Sequence, residues 1–204
     1  MFPASNYVDK VDFAFIFITV ISFALLALVT ILMLYFVFKY NHKRNKKATN
    51  IHGSIPLEIF WTVIPVILVL GMFYFGWVGY VDSVNPPADS MVIKVTGQMW
   101  KWSFEYPDGF KTDTLYVPAN VPVKLNLNSV DVNHSFYIPA FRLKKDVLPN
   151  RNNSLWFNAD KTGSYDIACA EYCGLRHSYM YTKIVVITKD NFTAWKNTQI
   201  AKAK

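Results

Sequence analysis

The sequence predicts a two-helix transmembrane hairpin followed by a small all-β domain. Three observations carry that expectation. Residues 13–38 and 59–81 are long apolar runs, the segment between them is rich in positive charge, and the chain from Asp82 onward has the alternating texture of a globular β protein. A composition that is 52% hydrophobic in 204 residues would be unusual if spread evenly, and here it is concentrated in the first 81 positions.

The first run is an uncharged stretch of about 26 residues and the second of about 23, each long enough to cross a bilayer with some tilt. A buried core helix is seldom apolar all round over such a length. The second span is taken as a helix over 57–81. Pro65 lies inside it, which would break a helix in water but is tolerated in a membrane, where neighbouring groups satisfy the freed carbonyl. Tyr35, Tyr40, Trp61, Trp77 and Tyr80 fall near the ends, as interfacial anchors do. The first run is too long for a signal peptide, has no small-residue cleavage site and carries its positive charge after the apolar stretch, so it reads as an anchor.

The formal net charge of +7 invites a nucleic-acid partner, but no recognition motif accompanies it. Lys39, Lys43, Arg44, Lys46 and Lys47 sit together between the two spans, where a membrane protein places its cytoplasmic positive charge. The expected topology follows: N-terminus and C-terminal domain outside, on the periplasmic or equivalent side, and the basic loop inside.

After the linker Asn85-Pro86-Pro87, period-2 alternation predicts strands at 92–96, 121–127, 154–157 and 181–187. Pro107-Asp108-Gly109 and Lys161-Thr162-Gly163 mark turns between them. Several short strands in so short a domain predict a sandwich or barrel. The polar tail reads as a short helix with a frayed end. The expected divisions are 1–86 for the hairpin, 87–190 for the β domain and 191–204 for the tail.

The two cysteines, Cys169 and Cys173, lie too close together for the framework of a disulfide-stapled fold and point instead to a local metal or redox site. Within twelve residues, Cys169-Ala170-Glu171-Tyr172-Cys173-Gly174-Leu175-Arg176-His177-Ser178-Tyr179-Met180 offers two thiols, an imidazole and a thioether. That set suits copper; zinc also takes Cys and His, but Met is a poor zinc ligand. A mononuclear blue-copper site uses one Cys, two His and a weak Met, so a second Cys suggests two bridged coppers and calls for a second imidazole. His42 and His52 lie on the cytoplasmic side of the expected topology. His134, in Asp131-Val132-Asn133-His134-Ser135, remains as the partner.

The pattern C-x-E-x-C-G-x-x-H-x-x-M, with D-V-x-H-S upstream, resembles the binuclear copper site (CuA) of the cytochrome oxidase subunit II family, and the resemblance extends over nearly the whole chain. It implies a cupredoxin-like Greek-key barrel. It also implies that Cys169 and Cys173 bridge two coppers, with His134 and Met180 completing one and His177 and the backbone carbonyl of Glu171 the other. The Glu171 side chain would contribute to a Mg²⁺ shared with oxidase subunit I, a hard ion suited to carboxylate oxygen. Trp100, in Gly97-Gln98-Met99-Trp100-Lys101-Trp102, falls where the family takes in electrons, and Trp102 is expected to point the opposite way, into the core. Met99 and Lys101 depart from the family's usual Gln and aromatic residue. Glu58 falls where the family opens a proton path; on residues alone it is a helix-end charge. The charged stretch from Arg142 through Lys144 and Asp146 to Arg151 reads as a solvated loop that the resemblance packs on subunit I.

The implied function is electron transfer from cytochrome c through copper to haem in subunit I, with oxygen reduced to water and protons pumped. The implied partners are subunit I, other oxidase subunits, the donor and membrane lipid. A quinol-oxidizing relative would lack the copper ligands, a nitrous-oxide-reducing enzyme would lack the hairpin, and a tethered copper-delivery or thiol-redox protein would not need His134 and Met180. Absence of C-x-x-C-H argues against a fused haem domain. The external part carries 15 Lys and Arg against 11 Asp and Glu, which leaves only Asp108, Asp113 and Asp131 as a local acidic patch for a basic donor.

Overall fold

The computed structural model describes residues 4–47, 50 and 52–203. The chain divides into two compact units, Asp12–Val78 and the combination of Met1–Val11 with Gly79–Lys204.

The apolar runs form helices α1 (Val8–Lys39) and α2 (Ile55–Val84), of 32 and 30 residues. At 1.5 Å per residue each is roughly 45–48 Å long, more than the ~30 Å of a bilayer's hydrocarbon. None of the residues in their most apolar stretches is buried within the protein, which separates them from the core helix of a soluble fold. Within the helical unit Phe75 of α2 meets Phe13 and Phe17 of α1 edge-on, with ring centroids 5.2 and 5.1 Å away. Pro65 is accommodated inside α2. Glu58 lies in the first turn of α2, exposed, its backbone N–H donating to the Ser54 carbonyl at 2.9 Å.

The second unit is a sandwich of two five-stranded sheets. Its strands are β1 (Met91–Gln98), β2 (Lys101–Glu105), β3 (Lys111–Thr112), β4 (Leu115–Pro118), β5 (Pro122–Ser129), β6 (His134–Ile138), β7 (Leu143–Val147), β8 (Asn153–Asn158), β9 (Gly163–Cys169) and β10 (Tyr181–Ile187), followed by helix α3 (Lys189–Ala203). One sheet runs β3-β2-β1-β5-β8 and the other β4-β10-β9-β6-β7. Each holds one parallel pair, β1 with β5 and β4 with β10, among antiparallel neighbours. Alternation decides the inner faces: Ile93 and Val95 of β1 point in while Val92 and Lys94 point out. Phe136 joins the two sheets across the core, edge-on to Trp102 at 5.1 Å and near Phe104 at 6.2 Å. This is the expected all-β domain.

Residues ahead of and at the start of α1, and helix α3, pack into the β unit. Ser5 forms an antiparallel bridge with Ala159, Asn6 N–H donates to the Asn158 carbonyl at 3.1 Å, and Ser5 Oγ donates to the Phe141 carbonyl at 3.2 Å. Tyr7 stands edge-on to Trp156 at 5.4 Å, and Lys10 pairs with Asp82. At the other end Trp195 of α3 stacks on Tyr116 at 4.4 Å and Phe192 is buried. Composition places divisions near 86 and 190, whereas packing gathers residues on either side of those points into one unit.

Two local expectations change. The segment around Lys144 is no solvated loop: Leu143–Val147 is strand β7, paired with β6 from His134↔Val147 to Ile138↔Leu143. Trp100 and Trp102 do diverge, but strand alternation is not the cause, because residues two apart share a face of a continuous strand. Met99 and Trp100 form the turn between β1 and β2, so Trp102 enters the core at 3% exposure while Trp100 stays at the rim.

Candidate metal centre

Three segments converge at one end of the sandwich: the start of β6, the loop between β9 and β10, and the β1–β2 turn. His134 opens β6 and is wholly buried. Cys169 closes β9, and the loop after it is fixed by backbone bonds, Ala170 N–H to the Ser135 carbonyl at 2.9 Å and Cys169 N–H to the Met180 carbonyl at 3.2 Å. A 3₁₀ turn over His177–Tyr179 then returns the chain to β10, with Met180 buried beneath.

The soft donors face one another. Cys169 Sγ and Cys173 Sγ are 3.7 Å apart, His134 Nδ1 lies 3.9 Å from Cys169 Sγ, His177 Nδ1 lies 3.6 Å from Cys173 Sγ, and Met180 Sδ lies 3.8 Å from Cys173 Sγ. The Glu171 carbonyl oxygen lies 3.3 Å from Cys169 Sγ. Donors held about 2.0–2.3 Å from a shared tetrahedral metal stand roughly 3.3–3.8 Å from one another. The observed spacings of 3.3–3.9 Å lie in or just beyond that range. Among the described residues, His134, Cys169 and Cys173 form the group of His, Cys and acidic side chains whose ligand atoms all fall within 4.8 Å of one another. Burial, and then the neighbouring Cys169 thiol, push the Cys173 thiol up to about 12. A cation that takes the thiolate form would release that proton.

The surrounding groups orient this set. His134 Nε2 lies 2.8 Å from Asp131 Oδ1, which leaves Nδ1 to face the sulfurs. Burial opposes ionization of Asp131, but hydrogen bonds from Met99 N–H, His134 and Val132 N–H outweigh it and hold the carboxyl below its ordinary range. Trp100 lies over the loop, its indole Nε1–H donating to the Cys173 carbonyl at 3.2 Å. Gly174, at φ +116°, is the residue beneath it: a Cβ there would come within 3.3 Å of the indole, and the backbone conformation itself disfavours any side chain. The side chain of Glu171 pairs with Lys144 at 3.0 Å; Lys144 also pairs with Asp146 at 2.9 Å, and Asp146 accepts from Ser135 Oγ at 2.9 Å.

All the sequence-predicted copper ligands are therefore brought together, and Trp100 stands beside them. Glu58 belongs to the helical unit. The acidic patch expected for a basic donor is depleted by internal pairing: Asp131 is engaged as described, and Asp108 pairs with Lys196 at 2.6 Å. Sequence reasoning passed over three contributors. Asp131 orients the His134 ring, Gly97 faces that ring, and Gly174 admits Trp100. The D-x-x-H spacing and the glycines flanking the aromatic segment and the second cysteine were the available signals.

Residues 110–188 match the family described as cytochrome c oxidase subunit II, periplasmic domain, and residues 3–75 match its transmembrane domain. The chain is 31% identical to cytochrome c oxidase subunit 2 of Cereibacter sphaeroides, over 88% of this chain and 72% of that one. The chain belongs to the cytochrome c oxidase subunit II family. It is likewise 32% identical to the alternative cytochrome c oxidase subunit 2 of Bradyrhizobium diazoefficiens, over 84% of this chain and 73% of the relative. The crystal structure of the periplasmic domain of a Bradyrhizobium japonicum oxidase subunit II superposes with a TM-score of 0.56 at 34% identity, covering 58% of this chain and 99% of that one. The fold is thus the cupredoxin-like domain of subunit II, carried on two membrane helices and lying outside the membrane. As subunit II of a haem–copper oxidase, the chain is part of an oxidase complex, and copper is the metal its family implies. The donor set around Cys169 fits copper in kind: thiolates, imidazoles and a thioether. Trp100 lies ten residues ahead of the matched periplasmic stretch, whereas every donor of the cluster lies inside it.

Proposed function

We propose that this subunit accepts electrons from cytochrome c at a binuclear copper centre and passes them to haem in subunit I, for reduction of oxygen to water coupled to proton pumping. The observation that carries the reading is the convergence of five soft side chains, His134, Cys169, Cys173, His177 and Met180, at spacings of 3.6–3.9 Å. Cys169 and Cys173 would hold both coppers, His134 and Met180 would serve one of them, and His177 with the Glu171 carbonyl would serve the other. When bound, a thiolate-bridged copper pair supplies a one-electron relay.

What the chain contributes is placement. The β strands hold the ligands with little freedom, so little reorganization opposes electron transfer. Trp100 offers a flat indole at the rim, hydrogen-bonded to the backbone of the bridging Cys173. The Glu171 carboxylate, held by Lys144, is available to a Mg²⁺ at the subunit I interface. On this reading Glu58, exposed in the first turn of α2, is the residue at which protons enter from the inner side. The packing of Ser5, Asn6 and Tyr7 into the β unit supports an N-terminus on the outer side, with the basic loop inside.

Copper analysis with electron paramagnetic resonance on the full chain tests this. Two coppers sharing one unpaired electron are expected. A single-copper spectrum, or zinc retained in preference after copper loading, would overturn it.

A further inference from the structure

Asp131 is outside the donor set, yet its two oxygens reach both halves of the site. Oδ1 accepts from His134 Nε2 at 2.8 Å and from Val132 N–H at 2.7 Å. Oδ2 accepts from Met99 N–H at 2.7 Å, in the turn that carries Trp100. The side chain is only 20% exposed, and Ser129 braces it: Ser129 Oγ accepts from Asp131 N–H at 3.3 Å and donates to the Val132 carbonyl at 2.5 Å. From Met99 the chain passes to Trp100, whose indole returns to the Cys173 carbonyl at 3.2 Å. From His134 the ring's other nitrogen faces Cys169 Sγ at 3.9 Å. A closed circuit results, with one carboxylate linking the ring of a ligand histidine to the tryptophan turn.

We propose that Asp131 is a positioning residue of the redox site: it fixes the His134 ring with Nδ1 toward the thiol pair, and with the same carboxylate it pins the β1–β2 turn so that Trp100 stays seated over the metal loop. The inference rests on the copper reading above for what the site holds, and on the hydrogen bonds alone for what Asp131 does. Both oxygens of Asp131 are thereby directed inward, one toward the His134 ring and the other toward the β1–β2 turn.

The two ends can be cut separately in the full chain, purified in detergent. Asp131→Asn keeps a carbonyl oxygen able to accept from His134 but sets an NH₂ group against Met99 N–H, whereas Asp131→Ala removes both acceptors. In the metal-free chain, exchange of the Met99 amide hydrogen accelerates about tenfold in both variants, as loss of one charge-assisted hydrogen bond allows. Nitrogen resonances of His134 show a mixture of ring tautomers only in Asp131→Ala. After copper loading, Asp131→Ala alters the hyperfine pattern and holds copper about 10- to 100-fold less tightly, while Asp131→Asn retains it. Both variants accept electrons more slowly, with unchanged dependence on ionic strength. Unaltered amide exchange and tautomer in both variants, with a rate loss that disappears at high salt, would make Asp131 a docking charge and overturn the proposal. If the wild-type chain fails to take two coppers, the copper reading falls, and the metal-free measurements still decide the role of Asp131.

Discussion

Replacing Gly97 with Ala is the sharpest test of how tightly the core holds the metal site. Gly97 lies on the inner face of β1, opposite Trp102 in the register of β2. A Cβ added there comes within 3.1 Å of His134 Cδ2 and 3.1 Å of Trp102 Cζ3. Both rings would have to retreat a few tenths of an ångström to reach ordinary contact. Neither is free to do so: His134 is wholly buried and tied to Asp131 at 2.8 Å, and Trp102 is wedged edge-on against Phe136 at 5.1 Å. Overpacking of this kind costs about 1–3 kcal/mol. The lower entropy of an unfolded Ala offsets about 0.4–1 kcal/mol. The net expectation is a loss of about 1.3 kcal/mol at the centre of a range of roughly 0–2.6 kcal/mol, together with a displaced His134 ring. Thermal unfolding of the full chain in detergent reads the first, and copper content and the hyperfine pattern read the second. Gly76→Ala serves as the control, since nothing lies within 4 Å of its added Cβ. A Gly97→Ala chain with unchanged midpoint and unchanged copper spectrum would refute the claim that the core fixes the ligand.

Trp100→Phe should keep copper but slow reduction by the donor roughly tenfold or more, since it loses the bond to Cys173 and the larger ring. Trp102→Phe should instead lower the unfolding midpoint, equivalent to about 1–2 kcal/mol, without a selective kinetic effect, because the buried Trp102 Nε1 has no hydrogen-bond partner to forfeit. Asp146 has its carboxyl held below the usual aspartate range, first by the hydrogen bond from Lys144 and then by that from Ser135. A depressed folded value stabilizes above the unfolded value, and that contribution is lost as pH falls through the folded one. Asp146→Asn should therefore unfold more readily than wild type at neutral pH, with the gap closing as pH falls through the lowered folded value; with both side chains nearly half exposed the effect is small. A gap that persists in acid would show that charge is not its source. For orientation, a cysteine at Asn45 should react with a membrane-impermeant thiol reagent only from the inner side, and labelling from outside would invert the topology.

Much of this architecture was legible because the decisive residues are close in sequence. Uninterrupted apolar composition marks α1 and α2, and the alternation from Tyr181 to Ile187 coincides with β10. The loop of soft donors was legible for the same reason: its thiols, imidazole and thioether fall within twelve positions. Strand β7 was hidden because Lys144, Lys145 and Asp146 look like loop charge, and only their partners in β6 make a strand of them. Pairing at a distance left no local signal either. Lys144 meets Glu171 across 27 positions, and Asp131 meets Met99 across 32. Trp100 and Trp102 show a third kind of gap, where a turn of two residues overrides the periodicity on either side.

The bridge from Ser5 to Ala159 bears on the order in which the molecule can be made. The contacts of Asn6 with Asn158 span 152 positions. At a ribosomal pace of about 5–20 residues per second, the first strand-like residues wait roughly 8–30 s for the partner that receives them. Both apolar helices are synthesized during that interval. Closing so long a loop carries an entropic cost that only late, cooperative contacts can offset. The edge at β8 therefore stays open until Ser5 and Asn6, made before both helices, return to it.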